Sequence, residues 1–329
     1  MRRLFLLTIP LFIILACNLP ADPPPALTIE TLRAQSSAVP ASTPRSDLSP
    51  IPATPNNFPA DEPTGKIVYT CQVTGSQICL INADGTGFHQ LTSDPVKHWY
   101  ASLAPDGGSV VYSAYVRDYV YEIYELNLSS GVVTQLTSGL GVLKAPEISP
   151  DGKSIVFGLG TSNGAEQVWV MDRSGANPHK IFGQGWDPNW SPDGSQILFA
   201  SNREGANQLF VINADGSSPR RVTDFDSLRG RSDWSPDGAW MVTYNGAAWQ
   251  RNVFLFRPDF TDLRQLTPPD GNSQGPSFSP DGKWVVFTAY FDHYGDDLGC
   301  EIYMIRVDGT DLRRLTDNDY CDYQPRWGP

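Results

Sequence analysis

The pattern that most directly suggests catalysis is a G-x-S-x-G segment at positions 160–164. In α/β-hydrolases this pattern places a nucleophilic serine on a sharp turn between a strand and a helix. Here the segments on either side, residues 155–157 and 167–171, are rich in β-branched and aromatic side chains, which favour strands. The motif is therefore interpreted as a loop between two strands, and Ser162 is not expected to be a nucleophile.

The potential metal ligands form no recognisable metal-binding pattern. The four histidines are scattered, and the four cysteines after Cys17 match no zinc spacing. The acidic segment 291–299 carries oxygen ligands of the kind that Ca²⁺ uses, but solvated surface charge is the interpretation adopted for it. No facing pair of carboxylates for glycoside chemistry stands out. We therefore predict no catalytic residue, no metal, no cofactor and no enzymatic activity.

The segments that would position any functional group are repeated along the chain. A Ser-Pro-Asp-Gly motif, with Ala in place of Ser in the first copy, begins at residues 104, 149, 191, 235 and 279. Proline presets φ for a turn, aspartate bonds back to the backbone, and glycine takes the positive φ that follows. Each copy is preceded by an apolar residue and followed by a β-rich run. The motif is therefore predicted to be the turn of a β-hairpin.

The spacing of the repeat indicates the fold class. Successive copies lie 45, 42, 44 and 44 residues apart, and each repeat contains four strand-like runs, the last often ending in Leu-Thr or Val-Thr. Four strands in about 44 residues is the period of a β-propeller blade. The first repeat lacks its first strand, and residues 323–327 at the end of the chain match it. We predict an all-β, six-bladed propeller of four-stranded blades, closed by the C-terminal strand, which completes the first blade.

The repeated x-Pro-x-Trp-Ser-Pro-Asp-Gly-Lys-x-Ile-x-Phe pattern, with its later Asp-Gly turn and Leu-Thr ending, resembles the WD-like repeat of TolB-type β-propellers. The resemblance extends over residues 64–329. It implies the fold, but such propellers serve as periplasmic interaction modules, as domains attached to peptidases and as many uncharacterised envelope proteins, so it does not specify a function. The resemblance is not taken to imply a transport role. The best-known TolB protein has a further small N-terminal domain, whereas this chain has a segment rich in Pro, Ala, Ser and Thr at that place.

The predicted strand order places two sets of loops on one face of the ring, here called the top face. These are the loops between the second and third strands of each blade and the connections that enter the next blade. On this register Cys300 and Cys321 lie in neighbouring top-face loops, while Cys71 and Cys79 flank one hairpin. The disulfides Cys71–Cys79 and Cys300–Cys321 are therefore predicted, and an even number of cysteines suits an exported protein.

The top-face loops are also rich in aromatic residues, which are enriched at recognition surfaces. The alternative is that these loops cover the channel with their own side chains. A ring of six equivalent positions, Tyr100, Ala145, Asp187, Arg231, Gly275 and Gln324, is expected near the channel mouth, whereas Trp190, Trp234 and Trp327 are expected to pack between blades. The predicted ligand-binding residues are Trp99, Tyr100, Trp186, Asp187, Arg231, Trp249, Tyr294 and Tyr323.

The N-terminal residues read as a targeting segment followed by a linker. Arg2 and Arg3 precede an apolar run that is too short to span a bilayer but suits a secretory signal. The run ends in Ile-Leu-Ala-Cys, which resembles a bacterial lipobox, so residues 1–17 are predicted to be a lipoprotein signal with lipidation on Cys17. Residues 18–63 are rich in Pro, Ala, Ser and Thr and are predicted to be a disordered stalk. An ordinary secretory signal is the alternative.

The charge and the fold together suggest a class of function. The formal net charge of −12 disfavours nucleic acid and anionic lipid surfaces as partners, so the lipid is expected to be the sole membrane attachment. We predict a monomeric, exported lipoprotein that faces the periplasm or the cell exterior and binds an envelope protein or peptide through its top face, without catalysis. The alternative is a propeller that binds or hydrolyses envelope polysaccharide.

Overall fold

The structure is a computed structural model that describes residues 62–329. Residues 163, 227, 270 and 290–298 and the side chain of Arg229 are excluded from this description. The signal segment, Cys17 and most of the stalk lie outside the described residues. The secondary-structure elements of the described stretches are all β-strands, 24 in number. No helix in these stretches is long and apolar enough to cross a bilayer.

The strands form six four-stranded antiparallel blades, numbered in chain order, with strands given from the innermost outward. Blade 1 contains β24 (Asp322–Gly328), β1 (Lys66–Cys71), β2 (Gln77–Asn82) and β3 (His89–Gln90). Blade 2 contains β4 (His98–Leu103), β5 (Ser109–Arg117), β6 (Val120–Asn127) and β7 (Val133–Gln135). Blade 3 contains β8 (Val142–Ile148), β9 (Ser154–Gly160), β10 (Glu166–Asp172) and β11 (His179–Phe182).

Blade 4 contains β12 (Trp186–Trp190), β13 (Gln196–Ser201), β14 (Gln208–Asn213) and β15 (Arg220–Arg221). Blade 5 contains β16 (Leu228–Trp234), β17 (Met241–Asn245), β18 (Asn252–Phe256) and β19 (Arg264–Gln265). Blade 6 contains β20 (Gln274–Phe278), β21 (Trp284–Ala289), β22 (Glu301–Arg306) and β23 (Arg313–Arg314). One parallel bridge, between Tyr121 and Val142, additionally joins blades 2 and 3.

The predicted closure of the ring is present in the strand pairing. The C-terminal β24 pairs antiparallel with β1 over residues Lys66 to Cys71, so the last strand of the chain completes the first blade. The apolar core is divided into six clusters, and each cluster joins residues of two neighbouring blades, including one between blades 6 and 1. Six blades with six interfaces form a closed ring, because an open row would have five.

The repeated tryptophans have the packing role expected of them. Trp190 lies in the cluster between blades 3 and 4, Trp234 in the cluster between blades 4 and 5, and Trp327 in the cluster between blades 6 and 1. All three are buried. Burying an aromatic side chain removes a large apolar area from water, so these residues hold adjacent blades together.

The threonine of the Leu-Thr and Val-Thr endings has a role that the sequence did not reveal. In five blades its hydroxyl accepts the backbone N–H of a third-strand residue at 2.9–3.0 Å. The same hydroxyl donates to the side chain of the residue before that one, at 2.5–3.2 Å. Because these groups are buried, each threonine pairs polar atoms that would otherwise be costly to bury. The residues are Thr92, Thr137, Thr223, Thr267 and Thr316.

Both predicted disulfides are present. Cys71 and Cys79 lie on the paired strands β1 and β2, with Cα atoms 5.9 Å apart. Cys300, just before β22, and Cys321, just before β24, have Cα atoms 4.6 Å apart. The second disulfide therefore joins blade 6 to the connection that leads into the closing strand.

Candidate functional site

The six equivalent positions predicted near the channel mouth share an unusual backbone conformation. In every blade the pairing of the innermost strand is interrupted by a register shift at this point. The residue there has a positive φ, between 21° and 63°. A non-glycine residue rarely adopts this region, and it costs roughly 1–2 kcal/mol. The six residues, called the axial ring below, are Tyr100, Ala145, Asp187, Arg231, Gly275 and Gln324.

The order of the blades determines which axial-ring residues face each other. Ala145 and Gly275, the two smallest residues, come from opposite blades, as do Asp187 and Gln324. Tyr100 and Arg231 are the third opposite pair, and the Arg231 guanidinium carbon lies 5.8 Å from the centre of the Tyr100 ring. A contact between side chains of opposite blades shows that Tyr100 and Arg231 extend across the axis.

Hydrogen bonds hold the axial ring in this arrangement. The Asp187 carboxylate accepts the backbone N–H of Arg231 at 3.1 Å, which joins blades 4 and 5. The Gln324 side-chain oxygen accepts the backbone N–H of Tyr100 at 3.2 Å, which joins blades 1 and 2. Gly230 is required beside the ring, because its φ is +126° and a Cβ there would lie 2.8 Å from both Trp186 Nε1 and Asp187 Oδ2.

The charge of Arg231 is unusual for a buried residue. Only 5% of its surface is exposed. Among the residues that the structure describes, its Nε and Nη1 atoms have no hydrogen-bond acceptor. Burial, with a smaller contribution from Arg326, lowers the pKa of Arg231 to about 10, against the opposing effect of Asp187. The guanidinium therefore remains charged at neutral pH.

Three aromatic residues form a cluster beside the axial ring, between blades 1 and 2. Trp99 Nε1 donates to the Tyr323 hydroxyl at 3.0 Å, and that hydroxyl is also hydrogen-bonded to Ser76 at 3.1 Å. The rings of Trp99 and Tyr121 are 5.4 Å apart. Both Trp99 and Tyr323 remain partly exposed, so the cluster presents aromatic surface with polar edges at the top face.

Five of the eight predicted ligand-binding residues take part in these contacts: Trp99, Tyr100, Asp187, Arg231 and Tyr323. Trp186 packs against the apolar cluster between blades 4 and 5. Trp249 lies in the loop between β17 and β18, where it exposes 54% of its surface. Tyr294 lies outside the described residues, as does most of the acidic segment 291–299. Within the part of the chain that the structure describes, no group of three potential metal ligands is close enough to hold an ion.

The G-x-S-x-G segment lies where the sequence placed it. Gly160 ends β9 and Glu166 begins β10, and these two strands pair antiparallel. Ser162 is therefore in a hairpin loop, and the strand-to-helix turn that the catalytic motif requires does not occur there.

A second polar ring, which sequence reasoning missed, lies two residues beyond the axial ring on five of the six innermost strands. Arg326 reaches Glu147 at 3.8 Å and Asp233 at 3.7 Å. Asn189 donates to the same two carboxylates at 2.9 and 3.1 Å, and Ser277 donates to Asp233 at 2.8 Å. These side chains come from five different blades and are buried or nearly so. The signal that could have revealed them is the repeat register, applied two positions beyond the axial ring.

The second ring also borders a cavity of about 330 Å³ on the side of the Ser-Pro-Asp-Gly turns. Prolines of those turns, such as Pro150 and Pro236, line it together with Trp190 and Trp234. The buried ion pairs around Arg326 therefore separate this cavity from the axial ring.

Comparison with known proteins supports the architecture. The family model of the PD40 TolB beta propeller domain matches residues 64–329. An uncharacterized protein of Agrobacterium fabrum, Atu1656, is 34% identical over 130 residues, which are 38% of this chain and 43% of that protein. The Tol-Pal system protein TolB of Francisella tularensis subsp. tularensis is 27% identical over 150 residues, which are 44% of this chain and 34% of that protein. These matches thus span less than half of either relative.

Among solved structures, TolB from Acinetobacter baumannii is similar with a TM-score of 0.71 and 25% sequence identity. The similarity covers 80% of this chain and 67% of that chain.

Proposed function

Because the chain belongs to the TolB beta propeller domain family, we propose that it is a non-enzymatic binding module that recognises an envelope protein or peptide through its top face. The observation that carries the proposal is the convergence of Trp99, Tyr100 and Tyr323 with Asp187 and Arg231 around the axis. These residues come from blades 1, 2, 4 and 5. Aromatic side chains and arginine are the residues enriched at protein interfaces.

The tether is the second part of the proposal. Lipidation of Cys17 would hold the exported chain at a membrane, since two or more acyl chains give stable attachment. Residues 18–63 would then act as a flexible spacer, which raises the local concentration of the monomeric domain near partners in the periplasm or at the cell exterior. The similarity to a protein named for the Tol-Pal system supports an envelope location and a protein partner.

A photocrosslinking experiment tests this function. A photoreactive amino acid is placed at the exposed Trp249 on the top face or, as a control, at the exposed Ser195 beside a turn on the opposite face. The full-length protein is expressed in its own envelope, irradiated and analysed by mass spectrometry. We expect a defined protein crosslink from position 249 and none from position 195. Equal crosslinking from both positions, or crosslinking from position 195 alone, would contradict top-face recognition.

The second candidate is carbohydrate binding, which the exposure of Tyr119 (86%) and Trp249 (54%) favours because exposed aromatic rings stack on sugars. Its test is a glycan array probed with the wild-type domain and with Trp249→Ala. A glycan signal that depends on Trp249, together with no protein crosslink from position 249, would replace the first proposal by the second.

A further inference from the structure

Arg231 is a buried cation whose hydrogen-bonding capacity is left unused. A guanidinium carries five N–H donors and no acceptor, and a buried charged donor without a partner is costly. Arg231 Nε and Nη1 are both in this condition within the described part of the chain. The nearest described carboxylate on the ring, Asp187, uses Oδ2 to accept the backbone N–H of Arg231.

The second arginine on the axis does not share this condition. Arg326 is paired with Glu147 and Asp233 and also donates to the backbone carbonyls of Ser232 and Pro276. These carboxylates are in turn held by Asn189 and Ser277. The anions of the second ring are thus committed to Arg326, which leaves the side-chain donors of Arg231 for an acceptor from outside the chain.

The immediate neighbours of Arg231 suggest how such an acceptor would reach it. The Tyr100 ring lies over the guanidinium from the opposite blade. On one side, Gly275 has no side chain, and a Cβ built there would lie 3.7 Å from Arg231 Cδ. Rotation of the partly exposed Tyr100 side chain would therefore open a path from the mouth of the axis toward the guanidinium.

We propose that Arg231 anchors a carboxylate of the bound peptide, either an acidic side chain or a C-terminus, at the centre of the top face. This inference rests on the proposed function and adds the chemistry of the ligand. A planar guanidinium matches a carboxylate closely, and carboxylates are the anions that an unmodified peptide carries. A strongly anionic ligand is disfavoured because the chain itself has a net charge of −12, which repels it at long range.

The first test uses small probes. Propionate and its neutral analogue propionamide are titrated into the protein, and the ¹⁵N signal of Arg231 Nε is followed by NMR. The signal is assigned by its absence from the spectrum of Arg231→Gln. We expect propionate to shift this signal saturably and propionamide to leave it unchanged. As a control for net charge, Arg220→Gln changes an exposed arginine on an outer strand and should preserve the response. Equal responses to both probes, or none to propionate, would overturn the carboxylate site.

The second test separates the site from the proposed function. A displayed random-peptide library is selected on the wild-type protein, and the enriched peptides are measured against Arg231→Gln and Arg220→Gln. We expect enriched peptides to share an Asp, a Glu or a free C-terminus. Their affinity should fall about 10- to 100-fold in Arg231→Gln, the range expected for loss of a charge-assisted hydrogen bond, and remain unchanged in Arg220→Gln.

The outcomes distinguish the two claims. Enriched peptides that lack a shared carboxylate and bind Arg231→Gln normally would overturn the carboxylate anchor while supporting peptide recognition. A propionate response without any enriched peptide would contradict peptide recognition while supporting Arg231 as a carboxylate site. Arg231→Gln is expected to fold, because it removes a buried charge that has unpaired donors, and a thermal unfolding midpoint at or above the wild-type value verifies this.

Discussion

One buried carboxyl group, that of Asp322, lies at the junction of blades 6 and 1 and links the pairing of the closing strand to pH. Asp322, the first residue of β24, is fully buried, and its Oδ2 accepts a hydrogen bond from Asn318 Nδ2 at 2.8 Å. Burial raises the pKa of Asp322 to about 7; the Asn318 hydrogen bond opposes this rise and the Glu301 carboxylate adds to it. The closing strand therefore begins at a carboxyl group that the fold prefers in its protonated form.

This preference predicts a pH dependence of stability. Because the pKa is higher in the folded state than the value near 4 in an unfolded chain, the stabilising contribution is full below about pH 4 and is lost as the pH rises to about 7. In Asp322→Asn, which mimics the protonated form, that loss should disappear. At pH 8 we expect the free energy of unfolding of the variant to exceed that of the wild type by a few kcal/mol, since one pKa unit corresponds to about 1.4 kcal/mol.

Urea unfolding of both proteins between pH 4 and pH 8 measures this difference. Wild-type and variant stability curves that run parallel over the whole range would show that Asp322 does not titrate as expected.

At the scale of elements, the Ser-Pro-Asp-Gly turns repeat one hydrogen-bond pattern in four blades. The serine hydroxyl donates to the aspartate at 2.5–2.7 Å and accepts a backbone N–H five residues later at 2.8–3.0 Å. The glycine N–H donates to the serine carbonyl at 2.8–2.9 Å, and every glycine of these turns has a positive φ. In the first copy Ala104 replaces the serine, so the side-chain part of the pattern is lost there.

The glycine position gives a prediction with a matched control. Gly238 has a φ of +68° and no atom within 4 Å of a built Cβ, so Gly238→Ala tests backbone strain alone. We expect it to lower the free energy of unfolding by about 1–2 kcal/mol. Gly183 is equally open but is not in the left-handed region, so Gly183→Ala should be neutral or stabilise the protein by up to about 1 kcal/mol. Equal urea midpoints for the two variants would contradict the requirement for glycine in the turn.

At the scale of the whole molecule, the ring depends on one non-local event, the pairing of β24 with β1. That pairing closes the blade 6–blade 1 interface, in which Trp327 packs with Trp284, and it covers the edge of β1 that would otherwise be unpaired. The two disulfides lie at this junction. Cys71–Cys79 links residues 8 positions apart within blade 1, whereas Cys300–Cys321 links residues 21 positions apart, next to the closing strand.

The disulfides are therefore expected to differ in their contribution. The loop-entropy relation gives the longer loop an advantage of about 1 kcal/mol, and the Cys300–Cys321 bond also positions the start of β24. We expect Cys300→Ala with Cys321→Ala to lower the thermal midpoint more than Cys71→Ala with Cys79→Ala does. Thermal unfolding of the two double variants under the same oxidising conditions measures this order, and the reverse order would show that ring closure does not depend on the longer disulfide.

The sequence alone was sufficient for the architecture and for part of the site. The turn motif and its period of about 44 residues predicted the blades, and the split first repeat predicted closure by residues 323–327, because these features depend on local backbone chemistry and on chain length. The same register located the six axial-ring positions. It did not reveal the second ring around Arg326, because that ring is defined by ion pairs and hydrogen bonds between side chains of different blades, which form only once the ring has closed.

Only the tertiary structure decided how these side chains meet. Tyr100 lies 131 residues from Arg231 in the chain, yet the closed ring places their blades opposite each other and brings the side chains into contact. The loss of partners for Arg231 is likewise a tertiary effect, because it follows from the engagement of Glu147 and Asp233 by Arg326, Asn189 and Ser277. Sequence spacing determines which residues reach the axis; packing around the axis determines which of them retain unused charge.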